Sequence, residues 1–391
     1  MTRVGFVLSA THSGWTGGMN YLSNLLHAIA KLPSRQLEPV LVLHPSAPER
    51  LLDNFPSVDV VRTALADDSN RGWGLARKLA ERGLGRDMLM SGFLRRQGIA
   101  LMSHSGQLGA RAELPTIGWL PDFQHRRMPE FFDSAEIAAR DRGYGRIAEQ
   151  CSTVVLSSVD AQRDLAEFVP AALPSSRVLH FVSGFAGGAM VVPDEAALRR
   201  RHALVGPYFH LPNQFWAHKN HRVVIDALAL LKAHGQVAQV VCTGQTKDSR
   251  RPAYFDALMR HAADAGVADR FRVLGLVPYE ELAGLMRHAI AVVNPSLFEG
   301  WSTSVEEAKS LGLSVVLSDI AVHREQAPER GVFFAARDAQ SLAEALMQVQ
   351  QGFSPDVEDA HRSRARASLP ARFAAFGAQY QAIVLETLAR A

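Results

Sequence analysis

Residues 289–319 read AIAVVNPSLFEGWSTSVEEAKSLGLSVVLSD. Two short apolar runs, 289–296 and 313–319, enclose a stretch whose apolar residues recur at helical spacing, with Val305 and Ala308 on the side that faces a core. This is the pattern of a strand, a crossover helix and a second parallel strand. The helix has an unusual opening: Glu299, Gly300 and the hydroxyls of Ser302, Thr303 and Ser304 come before two further glutamates, Glu306 and Glu307. Two readings fit. In one, the hydroxyls cap the N–H groups that every helix start leaves unpaired. In the other, small residues let a phosphate approach those amides while carboxylates beside it hold neutral hydroxyls.

The same alternation of short apolar runs and longer amphipathic stretches covers nearly the whole chain. Strands are expected at 3–10, 37–44, 58–63, 99–105, 114–120, 152–158 and 176–182, then at 208–215, 238–244, 271–277, 289–296, 313–319 and 331–336. Helical stretches such as 17–32, 158–169, 218–235 and 253–266 separate them. With 391 residues, two domains are expected. The glycine- and proline-bearing stretch 185–206 marks their boundary. The expected architecture is α/β: two tandem Rossmann-like, doubly wound domains facing across a cleft, at 1–190 and 191–369. A final helical stretch, 370–391, has no strand after it, and a return to the first domain is one reading of it.

Composition narrows the class. Apolar residues make up 47% and charged residues 21%, as in a soluble globular protein, and a net charge of +3 gives no argument for nucleic acid. Cys151 and Cys242 each lie in an apolar stretch, so two buried free thiols are expected rather than a disulfide or a zinc site. No run approaches 18 uninterrupted apolar residues, and the expected location is the cytoplasm, with a peripheral place on the inner face of the membrane as a second reading.

In open parallel sheets ligands sit beyond the carboxyl ends of the strands. Four post-strand loops carry candidates. The first holds Gly14, Gly17 and Gly18, which permit close backbone approach but do not form G-x-G-x-x-G. The second, TIGWLPDFQHRRMPEFF, gathers Trp119, Asp122, Gln124, His125 and Arg126. In the third, Lys219 stands where the second domain's first strand gives way to a helix, a place at which a cation opposes the helix dipole unless an anion is bound. The fourth is the opening stretch, with Glu299 and Glu307 eight positions apart. Acidic residues near a helix start are stabilising in their own right, so a purely structural reading stays open.

Taken together, NPSLFEGWSTSVEEAKSLGLSVVLSD resembles the E-x₇-E signature of the retaining glycosyltransferases of family 4, group 1, which have the GT-B fold. The glycine loop, LPDFQH, LSSVDAQRDL, HKNH, VVCTG and VLGLVPYEEL follow in the order expected of that family, so the resemblance extends over essentially the whole chain. It implies a hexosyltransferase that moves sugar from a nucleotide-diphosphate-sugar to a glycan, lipid-linked or small-molecule hydroxyl, as in polysaccharide biosynthesis. Lys219 would neutralise the donor diphosphate and Glu307 would hold the ribose. Glu299 and the backbone of Gly300, Trp301, Ser302, Thr303 and Ser304 would hold the transferring sugar and the phosphates. Gly244 and the turn 275–277, with Leu276, would border the base, Gln214 would be among the donor-binding residues, and Gly17 and Gly18 would approach the donor from the first domain.

Two departures stand out. Asn213 and Gln214 occupy the place where the family usually has an arginine. Pro121-Asp122, with His125 three residues on, replaces a common His-Asp pair, so Asp122 and His125 are candidates either for catalysis or for acceptor binding.

No D-x-D motif accompanies the diphosphate site, and no cofactor or metal is expected. A sugar-nucleotide epimerase and a non-catalytic nucleotide-sugar-binding protein are the competing readings. The stretch 71–98, with seven basic and two acidic residues among leucines, is either a solvated helix or a surface for anionic lipid.

Overall fold

A computed structural model describes residues 1–8, 16–66, 85–104, 108–184 and 193–391. The chain forms two compact units. One comprises Met1–Pro129, Asp133–Val182 and Ala371–Ala391; the other comprises Glu130–Phe132 and Ser183–Pro370.

The first unit is built on seven parallel strands: β1 (Thr2–Leu8), β2 (Leu37–Leu43), β3 (Asp59–Arg62), β4 (Ile99–Ser103), β5 (Thr116–Leu120), β6 (Thr153–Leu156) and β7 (Ser176–Val178), in the order β3-β2-β1-β4-β5-β6-β7. The second has six: β8 (Phe209–Leu211), β9 (Val240–Thr243), β10 (Phe271–Gly275), β11 (Val292–Asn294), β12 (Val315–Ser318) and β13 (Gly331–Phe334), in the order β10-β9-β8-β11-β12-β13. Twelve of the thirteen lie within an apolar run identified in the sequence, and β1 starts one residue before its run. The reason is burial on both faces, which demands continuous apolar residues: β6, β9 and β12 are buried at every position. The α/β fold expected from the sequence is the fold observed.

Both sheets reverse direction beside their first strand, between β1 and β4 and between β8 and β11. Helices leaving neighbouring strands at such a point go to opposite faces and leave a crevice at the strands' carboxyl ends. In the second unit this brings the loop after β8, with Lys219, next to the loop after β11, with Glu299; β8 and β11 pair through His210 and Val292.

The core of the second unit packs Phe209, Leu211, Phe215, Val240 and Phe271 against the helices His221–Ala233 and Ala339–Gln351. The last helix, Pro355–Arg390, contains Pro370, and the change of unit falls immediately after that residue. Its second half buries Phe376, Tyr380 and Val384 in the first unit, where Tyr380 donates to Ser103 Oγ at 2.8 Å and Thr387 pairs with Thr153 at 2.8 Å. Cys151 and Cys242 are free and buried, as expected, and burial pushes the Cys151 thiol up to about 11. Among the described residues no helix is long and apolar enough to cross a membrane.

Candidate functional site

The loop after β8 ends in a single tight turn, Ala217–Lys219, followed by Asn220 in the left-handed conformation with φ 55°. Asparagine tolerates that region better than most residues, because its short polar side chain bonds locally. Here its Nδ2 donates to the carbonyls of Pro295, at 3.1 Å, and Ala336, at 2.8 Å. These two bonds fasten the turn to the ends of β11 and β13 and fix where Lys219 emerges.

Opposite the turn, Asn294 closes β11 and is fully buried. Its Oδ1 accepts from Asn213 Nδ2 at 3.2 Å and Ser296 Oγ at 2.7 Å, while its Nδ2 donates to Ser302 Oγ at 2.8 Å and Ser304 Oγ at 3.3 Å. One side chain thus organises the loops after both switch-point strands.

Lys219 Nζ lies 2.7 Å from Glu299 Oε1, and the two side chains are 14% and 9% exposed. Burial alone would raise the Glu299 carboxyl, but the ammonium of Lys219, with His323 and Ser296 also favouring the anion, holds it at about 2. The lysine has three N–H donors, and this bond uses one.

The helix Thr303–Leu311 begins at Ser302, which makes no side-chain cap bond. The hydroxyls of Ser302 and Ser304 turn instead to Asn294. The capping reading of these serines therefore does not hold; they belong to the loop network. One turn further on, Glu307 is 4% exposed and accepts from Tyr279 Oη at 3.1 Å. Burial drives its carboxyl up to about 7, against the pull of hydrogen bonds from Tyr279 and Ser183. The two glutamates of the motif are thus set in opposite senses, Glu299 as a fixed anion and Glu307 as a carboxyl that titrates near neutrality.

Around this centre, Gly244 has φ 143°, and a Cβ there would lie 2.3 Å from the Asn213 carbonyl oxygen, so only glycine fits. Gln214 Oε1 accepts from the Gln245 amide at 2.8 Å and joins the loops after β8 and β9. Leu276 is 70% exposed beyond β10, Trp301 is buried, and Gly300 and Thr303 are half-buried.

Asp122, His125, Gly17 and Gly18 belong to the first unit. Asp122 Oδ1 accepts from the Gln124 amide at 2.9 Å. His125 is wholly buried, its Nε2 3.1 Å from Asp141 Oδ1 and its ring edge-on to Tyr144 at 5.0 Å. Gly17, in the helix Thr16–Ala30, is exposed with open space where a Cβ would stand, and Gly18 is buried. Gly14 and 71–84 of the basic stretch lie outside the described residues.

Asn294, Tyr279 and Gln326 escaped the sequence reading. An asparagine closing an apolar strand, in AVVNPS, was the one signal that pointed to any of them.

Two Rossmann-like units in one chain have the architecture of the GT-B fold. Residues 209–351 match the family described as glycosyl transferases group 1. The GDP-mannose:cellobiosyl-diphosphopolyprenol alpha-mannosyltransferase of Komagataeibacter xylinus is 31% identical over 160 residues, 39% of this chain and 38% of that protein. The D-inositol 3-phosphate glycosyltransferase of Frankia alni is 34% identical over 125 residues, 31% of this chain and 29% of that protein. The chain thus spans well under half the length of these curated relatives. In fold it is similar to HepE of Anabaena, solved in complex with UDP-glucose, with a TM-score of 0.68, 18% identity and coverage of 100% of both chains.

Proposed function

We propose that the protein transfers a hexosyl group from a nucleotide-diphosphate-sugar to an acceptor hydroxyl with retention of anomeric configuration. One observation carries this reading: at the β8/β11 switch point, Lys219 is held on Glu299 beside a helix start that its own N-cap side chain leaves uncapped, with Glu307 on the same helix. Departure of the nucleoside diphosphate is the costly event, and charge placed on that leaving group lowers its barrier. Lys219 and the amides of Thr303 and Ser304 supply the charge, Glu307 accepts from the ribose hydroxyls, and Glu299 accepts from the sugar.

The bond between the anomeric carbon and the diphosphate oxygen breaks while the acceptor oxygen attacks from the same face. Its proton passes to the leaving phosphate. The reaction runs without a divalent metal, so EDTA leaves the rate unchanged.

A lipid-linked glycan suits the acceptor role, since the Komagataeibacter relative is named for a cellobiosyl-diphosphopolyprenol substrate. Such an acceptor would bring the protein to the cytoplasmic face of a membrane. On the helix Met88–Arg96, Met88 is 48% and Leu89 38% exposed, and Arg95 and Arg96 lie in the last turn. Flotation with anionic liposomes at low salt tests that contact, and protein left at the bottom of the gradient would refute it.

The function itself is tested by nucleotide release from UDP-, GDP-, ADP- and dTDP-sugars, with Glu307→Ala as control. Release from one donor class, lost in the control, is expected. Tight binding without release, with acceptors supplied, would favour a binding protein, and a product epimerised without any acceptor would favour an epimerase.

A further inference from the structure

Gln326 ends the short helix Ala321–Gln326 and is 2% exposed. Its amide grips the backbone of Ser302 at both ends: Oε1 accepts from the Ser302 N–H at 3.2 Å, and Nε2 donates to the Ser302 carbonyl at 3.0 Å. The same Nε2 lies 3.2 Å from Glu306 Oε1, which also accepts from Lys309 Nζ at 2.8 Å. Lys309 in turn donates to the Gln326 carbonyl at 2.8 Å.

Two consequences follow for the helix start. Ser302 is fixed in an extended conformation, φ −81° and ψ 114°, so the next amides, those of Thr303 and Ser304, have a set direction. Glu306, the acidic residue of the first turn, is tied back by Gln326 and Lys309. Released, its carboxylate would compete with a bound phosphate for the positive end of the helix.

We infer that Gln326 is a positioning residue: it presets the amides of Thr303 and Ser304 for the donor's phosphates and keeps the Glu306 carboxylate away from them. The inference rests on the nucleotide-sugar reading of this site. It assigns Gln326 to the phosphate-dependent part of affinity and leaves base and ribose contacts unaffected.

Calorimetric affinities for UDP and UMP, and for GDP and GMP, test this in the wild type and in Gln326→Met and Gln326→Glu. The first variant removes both amide contacts at similar volume; the second keeps the acceptor for Ser302 N–H and adds a charge beside Glu306. The preference for diphosphate over monophosphate should fall roughly tenfold in both variants, at little cost in monophosphate affinity. A general loss of folded protein lowers the active fraction for both nucleotides together and leaves their ratio unchanged, so folding and positioning effects separate. Variants that retain the full preference overturn the role of Gln326. A wild type that binds neither pair overturns the nucleotide-sugar reading and this inference with it.

Discussion

Glu307 titrates near neutrality because it is buried, and this links stability and function in opposite directions. Its folded value, about 7, lies above the ordinary 4.5, so the folded state holds the proton more tightly. Its contribution to stability is full below 4.5 and is lost as pH rises through 7. Glu307→Gln should therefore raise the melting temperature of the ligand-free protein at pH 8 and leave it nearly unchanged at pH 4.5. The carboxylate is a stronger acceptor for ribose hydroxyls than the neutral acid, so donor affinity should rise from pH 6 to 8 in the wild type and stay flat in the variant. A flat wild-type profile would separate Glu307 from the ribose. Glu299 has the reverse sign: its value of about 2 lies below 4.5, so its stabilisation is present above 4.5 and disappears as pH falls toward 2. In the Lys219→Met variant, acid unfolding over that window should lose its Glu299 component, as read from the pH dependence of the urea midpoint. Lys219 and Glu299 stood out in the sequence as charged residues just beyond apolar strand ends, and Glu307 through its E-x₇-E spacing from Glu299. Tyr279 and Gln326 did not, since a single polar residue at a helix end has no spacing that separates a buried partner from a solvated one.

The loops after β8, β9 and β11 are held by backbone positions that tolerate little change, and the helix after β1 is not. Gly244 combines a φ of 143° with a Cβ position 2.3 Å from a carbonyl oxygen, so Gly244→Ala should cost at least about 2 kcal/mol in urea unfolding. Among the described residues, no atom apart from its chain neighbours and its own helix backbone lies within 4 Å of the Gly17 Cβ position, at a helix start. Gly17→Ala should leave stability in urea unfolding equal or higher by about 0.5–1 kcal/mol, and a loss of stability would show that the position does not accept a side chain. The same comparison explains why the strands were readable and the loops less so. Strands buried on both faces carry their burial as uninterrupted apolar runs, whereas a loop glycine looks the same whether protein atoms crowd it, as at 244, or none of the described ones does, as at 17. His125 is a related case: in the sequence it was one polar residue of a post-strand loop, and in the fold it is wholly buried against Asp141 and Tyr144.

The last helix starts in one unit and ends in the other, so neither unit is a continuous piece of chain. Residues 371–391 bury Phe373, Phe376, Tyr380, Ile383 and Val384 in the first unit. At about 1.5–3 kcal/mol for each buried apolar side chain, their removal costs on the order of 10 kcal/mol, comparable to the whole stability of a typical domain, about 5–15 kcal/mol. A chain ending at Pro370 should therefore lose the cooperative unfolding of the first unit, and a well-dispersed spectrum from that unit would refute this. The most direct examination of the donor site is a crystal structure with a bound nucleoside diphosphate. Its phosphates should lie within hydrogen-bonding distance of the Thr303 and Ser304 amides and of Lys219 Nζ, with the ribose hydroxyls on Glu307. Density for the nucleotide away from the β8 and β11 loops would contradict the assignment of this site to a nucleotide-sugar donor.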